Sequence, residues 1–122
     1  MRRMSMMLIV LLISSMAFTG CGGRKVTGTP AAADTPAVPL SEILVNPAAY
    51  SGKTVVLVGQ ISSVCASQCD FTYNEKSQSV VIYMDSTIKA PRVKTGTSVR
   101  VTASVLHGEV QTVFTALGLE LR

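Results

Sequence analysis

Residues 53–65 have the sequence KTVVLVGQISSVC, a long stretch with the composition of a β-strand. All four positions from Val55 to Val58 are apolar, which indicates a strand that is covered on both faces at its start. Gly59 interrupts the run, and a glycine inside a strand is typical of a bulge or a sharp bend. A long, bent strand can belong to two sheets at once, as in small barrels. We therefore take residues 53–65 as the strand around which the fold is built.

Four more strands follow, each separated from the next by a turn signal. They cover Phe71–Tyr73, Val80–Asp85, Thr97–Leu106 and Val110–Leu121. An irregular segment, Ser86–Thr95, crosses between the third and fourth of the five strands. Ahead of the first strand, Ser41 is expected to cap a short helix that Asn46-Pro47 ends. Residues 40–122 are therefore predicted to form a mainly all-β domain, a five-stranded OB-type barrel, with a small sandwich as the second choice.

Alternation of side chains assigns the faces of the last two strands. In Thr97–Leu106 the small apolar residues are expected to face inward and the polar ones, Arg100 and Thr102 among them, to face solvent. On the last strand, one side carries Val113, Leu117, Leu119 and Leu121.

The N-terminus has the pattern of an export signal, which we assign to residues 1–20. Arg2 and Arg3 precede an apolar core, Met6–Phe18, that is shorter than the roughly 20 residues needed to span a membrane. That length disfavours the alternative of a retained N-terminal anchor. Without this segment only one of the six methionines remains, which excludes a methionine-rich copper site. Nine basic and seven acidic residues remain, so the charge falls from +4 to +2 and does not indicate a phosphate-binding surface.

Phe18-Thr19-Gly20-Cys21 follows the apolar core and resembles the lipobox of exported bacterial lipoproteins. The resemblance implies that Cys21 becomes the mature N-terminus and carries lipid, which anchors the protein in a membrane of the bacterial cell envelope. That membrane would be the outer one where the source has two. The alternative is ordinary signal cleavage that leaves Cys21 as a free thiol. Cys21 opens a segment, residues 21–39, that is rich in Gly, Ala, Pro and Thr. We expect it to be a flexible tether, roughly 25 Å long, that holds the domain off the membrane.

Cys65 and Cys69 bracket a three-residue turn between the first two strands. Setting Cys21 apart leaves these two of the three cysteines, and a pair in an oxidising compartment favours a disulfide. The alternative is a thiol/disulfide or soft-metal site made of two thiolates, with His107 as a weak candidate for a third ligand. His107 is the only histidine, and it lies in a glycine-containing turn where an exposed polar residue is ordinary. No cofactor is expected.

Aromatic residues lie on the second and third strands, the part of an OB barrel that commonly binds ligands. The candidate binding face consists of Phe71, Tyr73, Tyr83, Lys89, Arg92 and Lys94. Such a set could bind single-stranded nucleic acid by stacking and charge. Core packing of the aromatics beside a solvated basic loop is the favoured interpretation, because Phe71 and Tyr73 share one face of their strand and the mature charge is small. The sequence contains no G-x-S-x-G motif and no nucleophile with a paired base, so we do not expect an enzyme.

Three runs of the domain are distinctive. They are SEILVNPAAYSGKTVVLVGQISSVC at 41–65, followed by the second cysteine, VRVTASV at 99–105 and TALGLEL at 115–121. Together they resemble the small exported bacterial OB-fold proteins labelled tRNA-anti-like, and this resemblance implies a fold without a catalytic motif. We therefore expect a membrane-anchored lipoprotein whose non-catalytic OB-fold module faces an extracytoplasmic compartment and binds a small ligand or an envelope protein. A thiol- or metal-handling envelope factor is the first alternative, and single-stranded nucleic-acid binding is the second.

Overall fold

The computed structural model describes residues 25–122. In chain order its elements are strand β1 (Val26–Gly28), helix α1 (Leu40–Val45), a 3₁₀ helix (Pro47–Tyr50), and strands β2 (Thr54–Val64), β3 (Asp70–Glu75), β4 (Gln78–Met84), β5 (Thr97–His107) and β6 (Thr112–Leu121). The signal peptide and Cys21 lie outside the described residues, so what was predicted for them stays a prediction. Within residues 25–122, no helix has the length and apolar character needed to cross a bilayer.

Five of the strands close into a barrel. β2 pairs antiparallel with β3 on one side and with β5 on the other, and β3 continues into antiparallel β4. β4 pairs in parallel with β6, and β6 pairs antiparallel with β5, which closes the ring. The interior is filled mainly by Leu57, Ile61, Phe71, Tyr73, Ile82, Val99, Val101, Phe114 and Leu119. This all-β architecture confirms the predicted five-stranded OB-type barrel.

The shared strand β2 has its irregularity three residues later than predicted. The register between β2 and β3 shifts at Ser62, which forms a bulge. Gly59 is regular, and its missing side chain makes room for a neighbour. A Cβ at this position would collide with the Asn74 carbonyl oxygen and would lie 2.8 Å from the ring of Tyr73. The bulge predicted at Gly59 therefore lies at Ser62 instead, and the glycine allows an aromatic ring from the next strand to approach the backbone.

A second bulge decides which residues of β6 face the core. Leu117 is the extra residue between two successive β5–β6 pairs, so the alternation of side chains reverses there. Before the bulge Phe114 is buried, after it Leu119 is buried, and Leu117 itself is 37% exposed. The prediction that Val113 and Leu117 lie on the same side of the strand as Leu119 is wrong for this reason.

Helix α1 begins one residue before the predicted cap. Pro39 occupies the N-cap position, and Ser41 lies inside the helix without capping it. The first backbone N–H, that of Leu40, instead donates to the Glu75 side chain at 2.9 Å. A carboxylate from β3 thus supplies the acceptor that the first turn needs, and its negative charge suits a helix N-terminus.

The segment predicted to be a flexible tether lies against the barrel. Val26–Gly28 forms β1, which pairs antiparallel with the end of β6. Residues 29–38, which we call the strap, then cross the outside of the barrel, and the Val38 N–H donates to the Val56 carbonyl of β2 at 2.8 Å. The tether prediction for residues 21–39 is therefore wrong for its part from Val26 onward.

The strap explains why two polar residues predicted to face solvent are buried. Arg100 and Thr102 are 5% and 4% exposed. The Arg100 guanidinium donates to the carbonyl oxygens of Ala31 at 3.1 Å and Ala32 at 2.7 Å, and it forms an ion pair with Glu120 at 3.0 Å. The Thr102 hydroxyl accepts from the Ala31 N–H at 2.8 Å. Both side chains do point outward, but the strap covers them and satisfies their hydrogen bonds.

Candidate functional site

A groove of about 780 Å³ opens on the outside of the barrel where β2 lies between β3 and β5. Its lining comprises Val58, Gly59, Gln60, Asn74, Glu75, Lys76, Ser98 and Arg122. We call it the β2 groove. Three strands supply its central row, because Gln60 is paired with Asn74 on one side and with Ser98 on the other. Directly opposed residues point to the same face of a sheet, so two amides and a hydroxyl stand side by side in this row.

The charges around the β2 groove are unequal. Glu75 is occupied by internal contacts: one carboxylate oxygen accepts from the Tyr73 hydroxyl at 2.6 Å and the other from the Leu40 N–H. Lys76 and Arg122 are exposed. Apart from the apolar Val58, the lining groups that are free to meet a ligand are therefore neutral polar or positively charged. This composition suits a ligand with many hydrogen-bonding groups and either no charge or a negative one.

Tyr73 forms the wall beneath the β2 groove and does not offer a binding surface. Its side chain is fully buried, with the ring against Gly59. Burial raises the pKa of the Tyr73 hydroxyl, and the hydrogen bond to Glu75 and the charge of that carboxylate raise it further. The phenol therefore stays a hydrogen-bond donor and fixes the Glu75 carboxylate, which in turn holds the start of α1.

The predicted binding face is not brought together as a surface. Phe71 and Tyr73 are completely buried, so their proposed role as stacking partners for a ligand is wrong, and the core-packing interpretation holds for both. Tyr83 is 44% exposed. Its neighbours across the sheet are Asp70 and Thr115 rather than another aromatic ring.

An apolar patch around Tyr83 was not predicted. Val81 and Tyr83 point outward from β4, and Leu106 from β5; these three side chains are 43%, 44% and 62% exposed. Val113 of β6 lies between Val81 and Leu106. It pairs with Leu106 on β5, and the parallel register in which Ile82 pairs with Phe114 puts the preceding residues, Val81 and Val113, side by side. Simple alternation put Val113 on the same side as Leu119, which is buried, so the patch could be recognised only from the reversed alternation of β6. Exposed apolar clusters of this kind are typical of contact surfaces.

The predicted basic trio lies in the loop between β4 and β5. Lys89, Arg92 and Lys94 are all exposed. The Arg92 guanidinium donates to the Ala66 carbonyl oxygen at 3.0 Å, which attaches it to the turn between the two cysteines. Among the contacts observed in residues 25–122, only Lys89 and Lys94 of the trio make no side-chain hydrogen bond and are free to bind a ligand. Two cations are a weak basis for a phosphate-binding surface.

The turn Cys65–Cys69 brings its two thiols close together, as predicted. The Sγ atoms are 3.8 Å apart and are not bonded to each other. The Ser67 hydroxyl donates to Cys69 Sγ at 3.1 Å and lies 3.3 Å from Cys65 Sγ. The pKa of the Cys65 thiol is lowered, chiefly by its side-chain hydrogen bond with Ser67, then by the Ser67 N–H and the Cys69 thiol. The predicted disulfide stays a prediction.

His107 does not belong to the cysteine turn. It is exposed at the far end of β5, beside the start of β2, and its ring Nδ1 lies 2.9 Å from the Thr112 hydroxyl. The third metal-ligating residue beside the cysteines is Asp70. The interpretation of His107 as their partner is wrong, because β2 carries the cysteines to the opposite end of the barrel. Asp70 follows Cys69 directly in the sequence, and this adjacency is the signal that could have identified it.

Comparison with known proteins supports the fold and leaves the family open. No family model matches this sequence, and neither does any curated protein. Among solved structures, the chain is similar to a protein described as an aspartyl-tRNA synthetase from Leishmania major Friedlin. The TM-score is 0.61 at 14% identity, over 77% of this chain and 23% of that chain. At this identity the similarity concerns the fold alone. An OB-type barrel fits a binding module, and that much follows from the architecture.

Proposed function

We propose that this protein is a non-catalytic binding module whose ligand occupies the β2 groove. The observation that supports this most directly is the row Asn74–Gln60–Ser98, three polar side chains aligned across three strands at the centre of the groove. Aligned amide and hydroxyl groups on rigid strands supply directional hydrogen bonds without having to be ordered on binding.

The ligand class follows from the lining. Gln60, Asn74 and Ser98 offer donors and acceptors, Val58 offers a small apolar surface, and the exposed charges are positive. We infer a small polar ligand, neutral or anionic, of a size that the 780 Å³ groove can hold. Single-stranded nucleic acid fits less well, because two of the three aromatic residues proposed for stacking are buried in the core.

The proposal includes attachment to a membrane of the bacterial envelope through a lipid on Cys21. The sequence supports this attachment, and the position of β1 limits the distance between the lipid and the barrel. Only residues 22–25 would separate the lipid from β1, and four residues span at most about 14 Å. The barrel would therefore sit directly on the membrane surface, much closer than a free tether extending to residue 39 would allow.

A variant that fills the β2 groove tests the proposed function. Full-length protein is isolated from detergent-solubilised membranes of the native host, and the bound small molecules and proteins are quantified by mass spectrometry. Ser98→Trp places an indole in the groove, and Ser86→Trp places the same group on an exposed loop serine outside it. We expect one molecule that co-purifies with the wild type and with Ser86→Trp and is lost from Ser98→Trp.

The proposal is wrong if the same molecules co-purify with all three proteins, or if none is enriched over a membrane control. Circular dichroism and the Tm of both variants establish that each is folded. Ser98 is exposed on β5, and tryptophan is well tolerated on strands, so loss of binding would not reflect loss of the barrel.

A further inference from the structure

The turn between β2 and β3 brings together three metal-ligating atoms. The Sγ atoms of Cys65 and Cys69 are 3.8 Å apart, and Asp70 Oδ2 lies 3.7 Å from Cys69 Sγ. All three ligand atoms lie within 4.8 Å of one another. Within residues 25–122, no other group of three such side chains is this close.

The two separations that involve Cys69 match edges of a tetrahedral metal site. With metal–sulfur bonds of about 2.3 Å, two sulfurs at a tetrahedral angle are about 3.8 Å apart. A sulfur and a carboxylate oxygen bound to the same ion are about 3.6 Å apart. The observed 3.8 Å and 3.7 Å agree with both values. A disulfide would require the two sulfurs to approach to about 2.05 Å.

The turn is held in this shape by the loop that follows β4. Gln68 has a left-handed backbone conformation with φ of 62°, which is uncommon for a residue with a side chain. Its carbonyl accepts from the Ala90 N–H at 2.9 Å, and its side-chain amide donates to the Ala90 carbonyl at 2.7 Å. The Cys69 carbonyl accepts from Met84 N–H at 2.8 Å. The ligand atoms are thus positioned before any ion arrives, which lowers the entropic cost of binding it.

The surroundings also suit a cation. The Ser67 hydroxyl contacts both sulfurs, where it can donate to a thiolate or approach the ion as a further oxygen. Two thiolates and a carboxylate outweigh a divalent charge by one, and the Arg92 guanidinium, bound to the Ala66 carbonyl of the same turn, offsets that excess. Cys69 is exposed, so the site is open to solvent on one side.

We propose that the reduced turn is a binding site for a thiophilic divalent cation such as Zn²⁺, held by Cys65 Sγ, Cys69 Sγ and Asp70 Oδ2. The fourth coordination position is open to water or to the Ser67 hydroxyl. The proposal is independent of the β2 groove, because no residue of the turn lines that groove.

Titration with Cd²⁺ tests the site. Reduced full-length protein in detergent, free of other metals, is titrated while the ultraviolet thiolate-to-cadmium charge-transfer band is recorded. We expect saturation at one ion per chain and loss of the band in Cys65→Ser and Cys69→Ser. Asp70→Asn should weaken binding at least about tenfold, since even outer partners of metal ligands cost about 10–100-fold when removed. Competition with Zn²⁺ should remove the band.

Two matched controls separate Asp70 from other groups. Asp85→Asn makes the same change at an aspartate that contacts Thr87 instead of the cysteines. His107→Ala removes the histidine, which lies at the end of the barrel opposite the cysteine turn. Both should bind Cd²⁺ as the wild type does. The proposal is overturned if no stoichiometric band forms, if Asp70→Asn binds as tightly as the wild type, or if His107→Ala weakens binding as much as loss of a cysteine does. Unchanged circular dichroism and Tm establish that each variant is folded.

Discussion

Replacing Arg100 with methionine should release the strap and destabilise the barrel. Methionine retains the apolar stem of the side chain but removes the charge and its donors. In the wild type Arg100 is 5% exposed, and its guanidinium donates to the carbonyl oxygens of Ala31, Ala32 and Thr35 and pairs with Glu120. The change therefore removes the only charged group that holds the middle of the strap among the contacts observed in residues 25–122.

The expected size of the effect follows from these contacts. Removing one partner of a buried ion pair typically costs about 3–5 kcal/mol. We expect the low end, about 3 kcal/mol, because the strap carbonyls can regain water when the strap lifts. The Glu120 side chain is also 14% exposed and keeps some contact with solvent. Thr102→Val removes a single acceptor, that of the Ala31 N–H, and should cost about 1 kcal/mol.

Urea unfolding and amide hydrogen exchange measure the two consequences separately. In Arg100→Met the Ala31 and Val38 amides, which donate to Thr102 and to β2, should exchange much faster than in the wild type, while amides of β2 and β5 stay protected. The reasoning is refuted if the free energy of unfolding of Arg100→Met is within about 0.5 kcal/mol of the wild-type value and the strap amides still exchange slowly. In that case β1 and backbone contacts alone would hold the strap.

Three further predictions concern the same barrel. A protein that begins at Leu40, where the predicted domain starts, should be less stable in urea than one that begins at Lys25, since it leaves Arg100 and Thr102 uncovered; equal urea midpoints would contradict this. Gly59→Ala should cost about 1–3 kcal/mol because the added methyl group meets the buried Tyr73 ring and a backbone carbonyl. Gly108→Ala, whose nearest neighbour would be 3.3 Å away in an exposed turn, is its control and should stay within about 0.5 kcal/mol. Tyr73→Phe should cost about 1.5–3 kcal/mol at neutral pH, through loss of the hydrogen bond to Glu75. Because the folded-state pKa of Tyr73 is raised above its ordinary value, its stabilisation is full below about pH 10 and is lost as the pH rises further. The difference in unfolding free energy between wild type and Tyr73→Phe should therefore be smaller at about pH 11 than at about pH 8, and an equal difference at the two pH values would contradict the assignment.

The barrel strands were predictable because their signal is local. Alternation and turn residues placed all five barrel strands to within about two residues at each end; β6, for example, begins at Thr112 instead of Val110. Local alternation failed on β6, where the bulge at Leu117 reverses the faces, because a bulge depends on the partner strand and leaves little trace in one sequence.

The strap and the β2 groove depend on contacts between distant residues. Arg100 and Ala32 are 68 positions apart, and nothing in the composition of residues 29–38 indicates that their carbonyls meet a guanidinium. The row Asn74–Gln60–Ser98 likewise requires two strand registers at once. Two features of the site were predictable because they depend on local sequence. A short turn brings Cys65 close to Cys69, and the burial of Phe71 and Tyr73 follows from the strand face that they share.

Site-specific photocrosslinking in living cells tests most directly whether the β2 groove is the binding site. A benzophenone amino acid replaces Val58, which is 37% exposed inside the groove, or Val110, which is 95% exposed in the β5–β6 turn. After irradiation of cells that make the full-length protein, mass spectrometry should find one discrete adduct at position 58 that is absent at position 110. An adduct at position 110 alone, or none at position 58, would contradict the account.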